Sequence, residues 1–160
     1  MGTATANLMA RLNAVEAGVA ELHASKVRAT AAKDMLAWAR ALLPEHHPLQ
    51  SPNAHRELSR ELSTWNKKGG RRVNIVGSRD TAKSVVVSLD FVLYAILEWR
   101  EPYVMVVSET QTQANMLVKT IRGELESNDL LAARYPGQCG EGPEWGEDML
   151  VTRGGTRVEA

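Results

Sequence analysis

The sequence is short of cysteine, of phenylalanine and of net charge. Cys139 is its single cysteine, so neither an intramolecular disulfide nor a multi-cysteine zinc site can form, which suits a reducing compartment. Lys+Arg and Asp+Glu number 19 each. Contact with a polyanion such as DNA therefore has to come from a local basic patch. No stretch approaches the ~18 consecutive apolar residues of a membrane span, so no membrane partner is expected. The N-terminus is polar and alanine-rich, without the apolar segment of a signal peptide. No internal repeat is present. Against these absences, 44% of the 160 residues are hydrophobic and 24% are charged. That is enough apolar material for the core of one ordinary domain.

From about Thr5 to Leu43 the chain is rich in good helix formers. Leu8, Leu12, Val15, Val19 and Leu22 recur every three or four residues, and Met35, Leu36, Ala39, Leu42 and Leu43 do the same. Two amphipathic helices are expected, packed on the body of the protein or on a partner. The pattern is too short and too alanine-rich for a coiled coil. Pro44 stops the second helix. Pro44 to Pro48 is a connector; its adjacent histidines, His46 and His47, lack a third ligand at metal-binding spacing. Ser51-Pro52 opens another helix, with Ser51 as the expected N-cap. His55, Leu58, Leu62 and Trp65 share one of its faces, and His55 reads as structural. Asn66 to Arg72 sets four cations around Gly69-Gly70. This is either a solvated turn or a basic lip for the phosphates of DNA or nucleotide.

The central stretch runs from Val73 to Ser84. Val73 to Val76 reads as a buried parallel strand, and Val85 to Trp99 as a helix. Between them lie Gly77, Ser78, Arg79, Asp80, Thr81, Ala82, Lys83 and Ser84. These nearly spell G-x-x-x-x-G-K-[ST], with Ala82 where the second glycine belongs. Backbone N–H groups at a helix start stabilise a phosphate chain. In such a loop Lys83 reaches the β- and γ-phosphates of ATP, and the Ser84 hydroxyl holds Mg²⁺. Ala82 is tolerated if it keeps a negative φ or turns its methyl away from the phosphate. Arg79 has two readings: a cis arginine finger on the γ-phosphate, or a surface arginine paired with Asp80. The loop as a whole also has two readings: a nucleotide site, or a polar turn in an unrelated α/β fold.

A second apolar run, Tyr103 to Val107, reads as another parallel strand. A helix capped by Ser108 or Thr110 follows, with Ala114, Leu117, Val118, Ile121 and Leu125 on its apolar face. The order strand, helix, strand, helix predicts a parallel pair with a right-handed crossover. Pro136 to Gly146 is an irregular loop that Trp145 anchors. Met149 to Val158 is a hairpin turning at Arg153-Gly154-Gly155. The sequence ends at Ala160 on what would be a bare edge strand, so a piece of a longer protein is expected.

The segment from His55 to about Tyr135 resembles the N-terminal ATPase domain of phage terminase large subunits, the motors that drive DNA into capsids. The resemblance is carried by the arginine-containing loop Gly77 to Ser84 with Ala before Lys, by Val104 to Val107 followed by Ser108-Glu109-Thr110 and Ala114, and by Glu124-Leu125 followed by Asn128 to Leu131. The glycine-turned hairpin completes it. Two departures are Ser78, where the family often has Pro, and Val85, where it often has Thr. The resemblance implies an α/β, P-loop NTPase-type three-layer fold with parallel β-strands. Residues 1–50 would be a helical N-terminal region and residues 51–160 a partial ATPase domain, cut before its Walker B strand. It implies ATP and Mg²⁺ bound across Gly77 to Ser84, with Arg79 and Lys83 as the catalytic residues and Ser84 on the metal. It implies double-stranded DNA, a terminase small subunit and a portal protein as partners, and a homo-oligomer at the capsid. The setting would be the host cytoplasm and, transiently, the procapsid portal. No apolar strand ending in paired acids follows the loop, so the polypeptide alone is expected to bind nucleotide without turning it over. A helicase-like ATPase and a non-catalytic interaction module are the alternatives.

Overall fold

The structure is a computed structural model that describes residues 34–65, 72–78, 81–99 and 101–160, together with Met9, Arg11, Ala14, Val15, Gly18 and Val19, which have helical backbone. Most of the first expected helix and the basic segment 66–71 lie outside the described residues.

Helix α1, Met35–Leu42, is capped by Asp34, whose Oδ1 accepts from Leu36 N at 3.0 Å. Met35, Trp38 and Ala39 have no exposed surface. Leu43 and Pro44 end the helix, as the rigid ring of a proline demands. Helix α2, Asn53–Leu62, has Pro52 at its cap and no side-chain cap. Ser51 is thus one residue too early for the capping role expected of it. It is buried instead and accepts a hydrogen bond from Arg40 at 3.3 Å. Ser59 joins the two helices, its hydroxyl accepting from Leu36 N at 2.8 Å.

The expected helix after the loop is present as α3, a run over 85–99. It is wound as π turns at Val85–Asp90 and Ala95–Trp99 around an α segment, Phe91–Tyr94. Val86, Leu93 and Ile96 lie in the core with 1% exposure or less. Helix α4, Gln111–Ser127, starts at Thr110, which settles the choice of cap: Thr110 Oγ1 accepts from Gln113 N. Asn128 caps helix α5, Asp129–Arg134, accepting from Leu130 N and Leu131 N at 3.0 Å each.

The sheet departs from expectation. Its strands are β1 (Tyr103–Met105), β2 (Glu144–Trp145), β3 (Met149–Val151) and β4 (Arg157–Glu159), in the order β1-β4-β3-β2. Only β1 and β4 are parallel; β3 pairs antiparallel with both β4 and β2. The expected strand Val73 to Val76 is not a strand. Residues 72–78 pair with nothing in the sheet, and Val73 and Val76 are 47% and 85% exposed. The expected parallel pair between that run and Tyr103 to Val107 therefore does not form.

The sheet register gives the physical reason. Val104 lies opposite Val158, Val158 opposite Leu150, and Leu150 opposite Trp145. These four side chains form one row facing the core. Side chains alternate along a strand, so Tyr103, Met105 and Arg157 fall on the other face, which is exposed. A three-layer fold needs apolar side chains on both faces of its central strands. Here one face packs on the core, while Tyr103 and Met105 on the other are 45% and 58% exposed. The P-loop NTPase-type three-layer fold is therefore incorrect for this chain: among residues 34–160 that are described, five helices stand with a small four-stranded mixed sheet.

The glycine-turned hairpin is present as β3 and β4, with Gly155 at φ +89° in its turn. Trp145 does anchor the preceding loop: it packs on the core, and its indole N–H donates to Glu126. A polar bridge crosses the interior. Trp38 Nε1 donates to the Tyr135 hydroxyl at 2.7 Å, and that hydroxyl donates to Glu98. Arg134 stacks on the Tyr135 ring with its guanidinium carbon 4.8 Å from the centroid.

Two outcomes follow from this packing. Tyr135→Phe leaves the Trp38 N–H without its partner and the Glu98 oxygen with Arg134 alone, so urea unfolding should show a loss of about 1–3 kcal/mol. Burial pushes the Cys139 thiol up to about 11, against a smaller opposing pull from Arg153. The folded state thus holds this proton more tightly than the unfolded chain. The associated stability is complete below the unfolded value of 9.0 and is lost as pH rises through about 11. Denaturation midpoints should fall over that interval, and Cys139→Ala should flatten the fall. Tyr94, raised to about 12 chiefly by burial, adds to the decline only at the upper end.

Candidate functional site

The loop between residue 77 and helix α3 closes on itself. Thr81 Oγ1 donates to the Ser78 carbonyl at 3.0 Å. Lys83 sits on the first helical turn, and its ammonium donates to the same carbonyl and to Thr81 Oγ1, the latter at 2.8 Å. The lysine side chain therefore lies back across the loop. Gly77 makes room for it: a Cβ there would stand 2.9 Å from Lys83 Cδ and 3.3 Å from Nζ. This is a close-approach role for Gly77, and its backbone φ is not the reason for it.

Ala82 does not keep a negative φ. It sits at φ +50°, alone in the left-handed region among the described non-glycine residues. That conformation crowds the Cβ of an L-residue against the following carbonyl, at a cost of roughly 1–2 kcal/mol. The position of the second glycine in the pattern is thus the one where the backbone calls for glycine. Strain of this kind persists only where surrounding contacts hold it. His55 is one such contact: buried on α2, it donates from Nε2 to the Thr81 carbonyl, next to the strained residue.

The loop forms part of the wall of a cavity of about 720 Å³. The connector residues 46–52, the start of α2 and residues 75–78 supply the rest. Its lining combines apolar groups, such as Leu49, Leu58, Val76 and Val86, with Lys83, His55, Ser78 and Thr81. This is the mixture of apolar wall and few convergent polar groups expected of a small-molecule site.

Of the residues singled out by sequence, Gly77, Ser78, Thr81, Ala82 and Lys83 come together at this cavity. Ser84 is exposed on the first helical turn beside them. Arg79 and Asp80 lie outside the described residues. The two connector histidines go different ways. His46 contacts Glu124 of α4 at 2.8 Å, and His47 contacts Asp90 of α3 at 3.0 Å. Among the described residues no group of three or more His, Cys, Asp or Glu side chains could hold a metal ion. The support that His55 gives the loop was not foreseen. Its signal was the histidine on an otherwise apolar helical face.

Ala82→Gly relieves the left-handed strain and should raise unfolding free energy by about 0.5–1 kcal/mol, less than the full strain because glycine also loosens the unfolded chain. Chemical denaturation of the two proteins checks this; a loss of stability would show that Ala82 is not strained. Compared with known proteins, the chain matches no family model, no curated protein and no solved structure.

Proposed function

We propose that the chain binds ATP with Mg²⁺ at the loop Gly77 to Ser84, as part of a terminase-like motor that couples ATP hydrolysis to movement of double-stranded DNA. The observation that carries this reading is the Lys83 ammonium, folded back over Gly77 onto the Ser78 carbonyl at the edge of a cavity large enough for a nucleotide. A phosphate group entering the loop offers that ammonium a charged acceptor in place of a neutral carbonyl. Charge-assisted hydrogen bonds are about twice as strong as neutral ones. The Ser84 hydroxyl, one residue along, would hold a Mg²⁺ that bridges the same phosphates. Arg79, inside the loop, would meet the γ-phosphate. The motor assignment itself, with DNA, small subunit and portal as partners, rests on the sequence resemblance.

A second reading has an observation in its favour. Lys83 is already satisfied by its own loop, as it would be in a non-catalytic interaction module. Calorimetric titration with MgATP separates the two. The ATP reading expects binding by the wild type and at least tenfold weaker binding by Lys83→Ala, with no sustained hydrolysis by either. Equal affinity in both proteins, or none in either, would favour the module.

A further inference from the structure

His47 and Asp90 take no part in the reading above. Asp90 interrupts the apolar surface of α3 and has no exposed area. Neither of its carboxylate oxygens has an aligned hydrogen-bond donor. One of them lies 3.0 Å from His47 Nε2, whose side chain is 6% exposed. The contact is within ion-pair distance but is no hydrogen bond, and Nε2 has no hydrogen-bond partner either. A carboxylate removed from water is costly unless a cation compensates it, and among the described residues His47 is the group that faces it. With Nε2 against Asp90, the other ring nitrogen, Nδ1, points away from the carboxylate. Nδ1 has no protein partner among the described residues, and His47 lines the same cavity as Gly77 and Lys83.

We propose that His47, held by Asp90, is an anion contact of this cavity, donating from Nδ1 to a phosphate oxygen of the ligand that Lys83 binds. The proposal rests on the ATP reading and names a second group for it, from a part of the chain about 30 residues before the loop. Asp90 is a positioning residue: it touches no ligand and fixes which ring nitrogen is free. The neighbouring charged groups do not compete for that nitrogen. His46 is engaged by Glu124, His55 by the Thr81 carbonyl, and Lys83 by the loop. Donation from Nδ1 leaves Nε2 to face the carboxylate.

The test follows MgATP binding by calorimetry, with ring-nitrogen NMR of the histidines. The wild-type His47 Nδ1 signal should move on saturation. His47→Gln should bind about tenfold more weakly than wild type. Asp90→Asn, which keeps the side-chain shape, should weaken binding toward the His47→Gln value. Should His47→Gln lose the fold, the wild-type Nδ1 signal decides alone. A stationary Nδ1 signal, or wild-type affinity in His47→Gln while Lys83→Ala fails to bind, would overturn the proposal and leave the ATP reading intact. If wild type binds neither MgATP nor inorganic pyrophosphate, both fall together.

Discussion

Burial of helix α3 is the constraint on which the rest depends. Val86, Leu89, Leu93, Ile96 and Leu97 are each 5% exposed or less, and they meet α1, the sheet and α4 in one core. Each such side chain contributes about 1.5–3 kcal/mol relative to exposure. The sum far exceeds any single polar contact in the molecule. The helix therefore cannot rotate or slide without losing the core, and its first turn is fixed in space. Lys83 and Ser84 are on that turn. The loop before them has one firm end, and its shape is decided by what the other side chains can reach. The π turns belong to the same account. A π turn widens the helix, and such turns are frequently found at functional sites; here one begins at Val85, directly after the loop.

The loop itself is held by small terms acting against strain. Ala82 in the left-handed region costs roughly 1–2 kcal/mol. The His55 bond to Thr81, the Thr81 bond to Ser78 and the lysine laid over Gly77 offset that cost, each by about 0.5–1.5 kcal/mol, or more where charge is involved. The balance is close. A ligand that drew Lys83 away would remove one support and replace it with a charge-assisted one. This makes the loop responsive where a fully relaxed turn would be inert.

How much of this was legible follows from which residues carry local signals. Caps and breakers other than Ser51 were legible: Pro44 ended α1, Thr110 was one of two caps expected for α4, and the hairpin turned at Gly154-Gly155. The Val73 to Val76 strand was misread because an apolar run shows only that a segment could be buried. It does not show whether a second apolar face exists to bury it. A sequence sign of a single buried face lay in Arg157-Val158-Glu159, where charges flank one inward residue; Tyr103-Val104-Met105 is apolar throughout and hid it. At the site, the loop's composition was visible because its motif is local. The His47–Asp90 pair was not, since 43 positions of sequence separate its members. A lone aspartate inside Val85 to Leu97 was its one advance sign.

That a loop of this kind stands apart from a small mixed sheet bears on what its chemistry needs. Anion binding by backbone N–H groups, a lysine and a helix start is a short-range effect that fades beyond the first turn. Nothing in it requires the strand before the loop to be paired. What such a strand does supply is rigidity on the upstream side. Here residues 72–78 lack it, being unpaired in the sheet and largely exposed. Preorganisation must come from the downstream helix and from His55, so His55 carries a share of the positioning that a paired strand would otherwise provide. Truncating that histidine would free the Thr81 carbonyl while leaving Lys83 in place, and the loop would lose its shape before it lost its charge.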